Sequence, residues 1–312
     1  MNNSSAEHNT TQCEHSPDDP VLGLLTGIYT LAFVLGLIFN VLTFCPILQQ
    51  VRSQNILGVF LLNLSISDIL YLLTMPMWIK YYHEGHKWTM GRLTCKVAGF
   101  LYYSNMYVSI YLLCGISVDR CLAVSFPLRS KSYRSSRCAW LQCLVLCLLV
   151  MSAHCLLLLL EDHISTSDLS CYDTYQLPPA IAAFNLFRVG AGFLLPLLVM
   201  GLCYWKILSH VNQSEGLKEP AKRKVRLLSF GVIGIFSVCF APYHLLLATR
   251  SLAYFSMNVK QYGDFEKSMH FPFSCMLALS SLNSVLDPVL YVLASDWVRK
   301  DMMLGCCRTR QV

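Results

Sequence analysis

Asp68, Arg188 and Asp287 are charges standing inside long stretches that otherwise contain no Lys, Arg, Asp or Glu. A charge at membrane depth is costly, so such residues pair with one another or face a polar cavity. Asp68 lies in LNLSISD, Asp287 lies in SLNSVLDPVLY beside Asn283, and GLIFN supplies Asn40. Carboxylates and amides are hard oxygen donors, so these four side chains could enclose a sodium ion at Asp68 with waters, or form a hydrogen-bonded polar core without one. Arg188, eight residues before Pro196, belongs to a second set with Lys80 and Arg250, each near the outer end of an apolar stretch. Together they could grip a phosphate or carboxylate through charge-assisted hydrogen bonds. Alternatively they snorkel to the interface, as Lys and Arg do at helix ends.

The elements that must position these groups are transmembrane helices. The 312 residues are 55% hydrophobic and only 13% charged, with mean hydropathy +0.49, about half the charge of a soluble domain. Seven low-charge stretches are long enough to cross a hydrocarbon core of about 30 Å. They run between Asp19 and Arg52, Arg52 and Lys80, Lys96 and Asp119, Arg137 and Glu161, Asp173 and Lys206, Arg226 and Arg250, and Lys267 and Asp296. The expected fold is an all-α seven-transmembrane bundle. Most Lys and Arg residues fall in the loops and tail on one side, including Arg129, Lys131, Arg134, Arg137, Lys218 and Lys222 to Lys224, which predicts an outside N-terminus. Sequons at Asn2, Asn3 and Asn9 agree, as glycosylation acceptors in a leader without a cleavable signal pattern. This divides the chain into an extracellular N-terminus (1–20), a seven-transmembrane domain (21–294), and a short amphipathic helix with a cytoplasmic tail (295–312). The net charge of +6 suits the inner leaflet and its lipids, without the basic and aromatic interleaving of a nucleic-acid surface.

Of the fifteen cysteines, most lie within apolar spans as small packing residues. Cys13, Cys95 and Cys171 lie outside, where the medium is oxidising, so a Cys95–Cys171 bridge is expected and Cys13 is left over. Cys306 and Cys307, after a short basic segment, suit palmitoylation. Eight of the nine histidines, among them His83, His86, His154, His163, His244 and His270, fall outside or in the outer half of a span. Such rings gain charge between neutral and acid pH and could sense protons, or titrate in loops without consequence. No HExxH, GxSxG or P-loop supplies enzyme chemistry. No internal repeat supports a transporter, which with a channel is the competing membrane class.

The third span ends in SVDRCLAVSFPLR, where Asp119 can partly neutralise Arg120 and leave it free to swing to a partner. The sixth contains CFAPYHLLLATR, whose Pro242 bends a helix and whose His244 and Arg250 lie outward of the bend.

Taken together, GLIFN, LNLSISD, Cys95, DRC, Pro196 with Tyr204, CFAP and DPVLY resemble the rhodopsin-like (class A) G-protein-coupled receptors, in the right helices and order. That resemblance implies coupling to a heterotrimeric G protein and no enzymatic activity. It makes Asp119 and Arg120 a cytoplasmic lock and Phe240 a rotamer switch above Pro242. It also makes Tyr204 and Tyr291 the tyrosines that meet near Arg120 on activation. Cys121, Phe240 and Asp287 stand where the pattern has Tyr, Trp and Asn. MPMWIKYYHEGHKWTMGRLTCK and VCFAPYHLLLATR further resemble the proton-sensing and lysophospholipid-responsive group. The implied ligand is extracellular protons and/or a lysophospholipid, the alternative another anionic lipid or a nucleotide without pH sensing. Counting from FPLR, that group's fourth-span glutamate falls on Val150, its seventh-span histidine on Ser274, and the usual mate of Cys13 on Gly263. With those partners missing, His244 is expected first as a ligand contact.

Overall fold

The computed structural model describes residues 20–126, 130, 134–162, 171–172, 178–214 and 219–294, except for a few side chains within helices. The expected N-terminal sequons, Cys13, His163, Cys306, Cys307 and the segment after the seventh span lie outside the described residues.

Among those residues, seven helical stretches are long and apolar enough to cross a membrane: Val21–Arg52, Ile56–His83, Arg92–Ser125, Ser136–Leu159, Pro179–Gln213, Val225–Ser256 and Val259–Val289. The shortest has 24 residues, or about 36 Å at about 1.5 Å per residue. Only helices satisfy every backbone group in hydrocarbon without an external partner.

The first span is α1 (Pro20–Arg52). The second joins α2 (Ile56–Leu72) to α3 (Met75–His83). The third is α4 (Arg92–Ser125) and the fourth α5 (Ser136–Asp162). The fifth joins α6 (Pro179–Val189) to α7 (Leu195–Gln213) through one π turn at Gly190–Leu194. The sixth is α8 (Glu219–Ser256), and the seventh joins α9 (Val259–Ser280) to α10 (Asn283–Ala294). Asn55 and Asn258 start the second and seventh spans, their side-chain oxygens accepting from the amides of Leu57 and Gln261, both at 3.0 Å.

Leu141, Leu148, Leu149 and Leu156 of α5 point outward and are exposed, as hydrocarbon-facing positions must be. Lipid removes the hydrophobic drive between helices, so polar groups and close packing hold a membrane bundle. Asn40, Ser65, Asp68, Asn105, Ser109, Asn283, Ser284 and Asp287 are accordingly all buried at the centre of the bundle.

Two close approaches shape the half of the bundle that carries the disulfide. Pro196 cannot donate from its nitrogen, and the π turn before it leaves the Ala191 carbonyl for another donor, the Tyr111 hydroxyl at 2.9 Å. Within that turn Gly192 gives Tyr107 room, since a Cβ there would lie 2.5 Å from the ring. The bridge between Cys95 and Cys171, with Cα atoms 5.7 Å apart, pins the neighbouring Tyr172 over Gly99, where a Cβ would be 1.9 Å from the ring.

Candidate functional site

Arg188 projects from the last turn of α6 and is 6% exposed. Its Nε donates to the Tyr107 hydroxyl, Nη1 to Asn185 Oδ1 and Nη2 to the Tyr243 hydroxyl, each at 3.1 Å. The guanidinium carbon lies 4.7 Å from the centre of the Tyr103 ring and 5.0 Å from that of Tyr107. All of these partners are neutral. A buried guanidinium so held has no counter-charge among these partners, a costly condition that an anionic partner would relieve.

Tyr103 and Tyr107 stand four residues apart on α4, hence on one helix face. Sequence reasoning passed over both, because aromatic residues at that spacing read as core. The signal was the oxygen each carries beside a span holding a lone arginine.

The other two cations of the expected triad do not join Arg188. Arg250 is buried against Glu266, with Nε 3.0 Å and 3.1 Å from the two carboxylate oxygens and a further contact from Nη2. It also lies 4.2 Å above the Phe273 ring. Instead of waiting for an anion, it ties the outer end of α8 to α9. Lys80 reaches Glu84 at 3.8 Å on the exposed surface. In both cases a carboxylate of the chain itself pairs with the cation.

His244, expected first as a ligand contact, is 1% exposed and fully engaged. Nδ1 is 2.7 Å from the Phe240 carbonyl and Nε2 is 3.0 Å from the Tyr107 hydroxyl, while Phe193 stacks on the ring at 4.5 Å. It is a satisfied core imidazole linking Phe240 to the Arg188 cluster. Phe240 beneath it is fully buried, edge-on to Phe236 at 5.4 Å. Pro242 lies inside α8, where it deletes one backbone donor.

Two of the remaining histidines meet. The rings of His86, beyond α3, and His270, on α9, lie 5.4 Å apart, and both are partly exposed. His83 points to the exterior and is exposed. Ser274 donates to the His270 carbonyl at 3.0 Å.

At the centre of the bundle, Asp68 Oδ1 accepts from Asn105 Nδ2 and Ser284 Oγ, both at 2.9 Å. Asn40 donates to the carbonyls of Gly36 and Ser284 at 2.9 Å and accepts from Ser65 at 3.1 Å. Asn283 donates to Ser109 at 3.1 Å. Asp68 Oδ2 and both oxygens of Asp287 are buried without a hydrogen-bond partner among the described residues. They border a cavity of about 10 Å³ that Asn40, Thr43 and Ser65 also line, room for about one water-sized occupant. Asn283, committed to Ser109, is not among the lining residues. Three partnerless carboxylate oxygens around such a space fit a hard monovalent cation.

At the end of the bundle away from the disulfide, the expected pairing of Asp119 with Arg120 is replaced. Asp119 gives both oxygens to Arg134, at 2.8 Å to Nε and 3.1 Å to Nη2. Consecutive helical residues do not face each other, whereas Arg134, in the segment before α5, reaches the carboxylate in a fork geometry. That hydrogen bond raises the Arg134 pKa above the ordinary guanidinium value. Arg120 therefore keeps no carboxylate partner among the described residues. Tyr204 accepts from Ser117 at 3.1 Å across α7 and α4. The side chain of Tyr291 lies outside the described set.

Comparison with known proteins agrees with this geometry. Residues 2–291 match the family model described as 7 transmembrane receptor (rhodopsin family). Over 281 residues the chain is 36% identical to the human "Probable G-protein coupled receptor 132", covering 89% of this chain and 73% of that protein. It is 31% identical over 316 residues to the bovine "G-protein coupled receptor 68", covering 98% and 84%. It is 30% identical over 297 residues to the human "G-protein coupled receptor 65", covering 91% and 88%. A buried polar centre, a proline-interrupted sixth span and an inner Asp-Arg pair are thus set in a sequence related to receptors over nearly its whole length. The chain belongs to the rhodopsin-like family of seven-transmembrane, G-protein-coupled receptors, multi-pass proteins of the plasma membrane that are not enzymes.

Proposed function

We propose that this receptor takes an acid-headed lysophospholipid-like ligand in an outer pocket centred on Arg188, responds to extracellular protons through His86 and His270, and activates a heterotrimeric G protein. The observation that carries the ligand reading is the buried Arg188 guanidinium, held by two phenols and an amide with no carboxylate among the described residues. Its charge is available to a phosphate or carboxylate, and a hydrocarbon chain would lie against the apolar spans. The proton reading rests on the His86 and His270 rings at 5.4 Å. Like charges on two rings this close repel each other, which favours a rearranged outer face.

The N-terminus is outside in this reading, consistent with the Cys95–Cys171 bridge, since disulfides persist on the oxidising side. A ligand shifts the receptor only by binding one helix arrangement better than another. Tyr107 touches both Arg188 and His244, and His244 touches Phe240, so an anion drawing on Arg188 changes the packing that holds α8 near Pro242. Movement of α8 opens the inner end, where Arg120 meets the G protein. A sodium ion held by Asp68 and Asp287 would favour the arrangement in which their oxygens converge.

The test is G-protein activation in cells stepped from alkaline to acid pH, with and without lysophospholipids, for the parent receptor and Arg188→Ala. The lipid response should depend on Arg188 and the pH response on His86 and His270. A lipid response that survives Arg188→Ala, together with a flat pH response, would overturn the reading.

A further inference from the structure

His154, on α5, is 4% exposed, and its Nε2 has no hydrogen-bond partner among the described residues. Its Nδ1 donates to the Val150 carbonyl at 2.9 Å. The neutral ring therefore presents a lone pair at Nε2, and only the protonated ring presents a donor there. A buried polar atom left in this condition costs free energy unless something bonds to it.

The neighbours of the ring say what that partner is. His154 lies 5.3 Å from the Tyr107 ring and stacks parallel to the Tyr103 ring at 6.4 Å. These are the two rings over which Arg188 sits. One pair of tyrosines from α4 is thus flanked by His154 from α5 and Arg188 from α6. The titratable or charged groups facing His154 are Tyr103 and Tyr107 from the third span and Arg188 from the fifth. Its own helix offers it the Val150 carbonyl, and no carboxylate among the described residues touches it.

We propose that His154 is the proton-linked half of the anion subsite whose permanent half is Arg188, so that an acidic ligand, a phosphate monoester or a carboxylate, binds together with one shared proton. The inference rests on the Arg188 reading given above and adds its regulation. With no anion present, a second positive charge beside Arg188 is disfavoured by repulsion. An anionic oxygen lying against the tyrosine pair offsets that repulsion and bonds to Nε2–H. A protonated ligand acid donating to neutral Nε2 amounts to the same proton count. The complex therefore holds one proton more than the free receptor and anion. By linkage, affinity rises as pH falls, by up to about tenfold per pH unit. Val150, one turn inward at the carbonyl that orients the ring, carries no acid of its own to compete for that proton.

The experiment measures ligand-induced stabilisation of the full receptor in nanodiscs between pH 5.5 and 8. The probes are oleoyl lysophosphatidate, oleate and glycerol 3-phosphate, and the proteins are parent, His154→Gln, His154→Asn and Arg188→Gln. The parent should bind a probe severalfold more tightly per unit of acidification, and the His154 variants should bind with little pH dependence. Calorimetry of the parent in two buffers of different ionisation enthalpy should show uptake of about one proton per ligand, a readout that needs no variant to fold. Binding by oleoyl lysophosphatidate or oleate identifies a lipid source, and equal binding by glycerol 3-phosphate a free phosphate. No proton uptake, or an unchanged pH slope in both His154 variants, overturns the role of His154 alone. Binding by no probe, or binding indifferent to Arg188→Gln, overturns the Arg188 reading as well.

Discussion

The Tyr107 hydroxyl lies 3.1 Å from Arg188 Nε and 3.0 Å from His244 Nε2. One phenol oxygen thus joins the buried cation of the fifth span to the imidazole that bonds the Phe240 carbonyl in the sixth. Tyr107→Phe removes it with almost no change of shape. It should cost about 1–3 kcal/mol in unfolding stability, because both partners stay buried, and should uncouple lipid binding from G-protein activation. Thermal unfolding in nanodiscs and agonist efficacy measured together check it. Unchanged efficacy with reduced stability would make the tyrosine a packing residue only.

Arg250 and Glu266 tie the outer ends of the sixth and seventh spans. Removing one partner leaves a buried charge uncompensated, so Arg250→Met or Glu266→Leu alone should lose about 3–5 kcal/mol, whereas the double replacement should recover most of it. The measurement is a double-mutant cycle on thermal stability. Additive losses would mean that the two residues act separately.

The bidentate contact of Arg134 with Asp119 anchors the third span to the inner segment before the fourth. Arg134→Ala and Asp119→Asn should each raise basal nucleotide exchange a few-fold, and together no more than either alone. Their coupling should be about 1 kcal/mol, weakened by salt because Arg134 is partly exposed. Strictly additive effects on exchange would contradict this.

Much of this arrangement was legible in the chain, for reasons that particular residues make plain. Gaps between charges outline the seven spans, because hydrocarbon excludes ions. Cys95 and Cys171 stood out because most other thiols lie in apolar runs. Asn40, Asp68 and Asp287 were visible for the same reason and do line one cavity. What could not be read was pairing across helices. Whether Arg250 meets Glu266 or Arg188 depends on which helix faces pack, and whether Asp119 chooses Arg134 over Arg120 depends on a loop path that composition does not encode. Tyr107 and His154 were hidden differently, since an aromatic or imidazole on a buried face looks like core until its neighbours are known.

Sodium should stabilise the receptor if it occupies the space between Asp68 and Asp287, by about 2.7 kcal/mol at a hundredfold excess over Kd. Replacing sodium with choline should lower the melting temperature of the parent and leave that of Asp68→Asn unmoved. Equal responses in the two proteins would leave the carboxylates as a polar core without an ion.

The claim on which the pocket depends is that Arg188 receives the acidic head of the ligand. Its most direct test is equilibrium binding of radiolabelled oleoyl lysophosphatidate to purified parent receptor and Arg188→Gln in nanodiscs, with folding checked by the melting curve. Saturable binding to the parent, weakened about tenfold or more in a folded Arg188→Gln, is the predicted result, in line with loss of about 1.5–3 kcal/mol from a charge-assisted hydrogen bond. Equal affinity in the two proteins would contradict it.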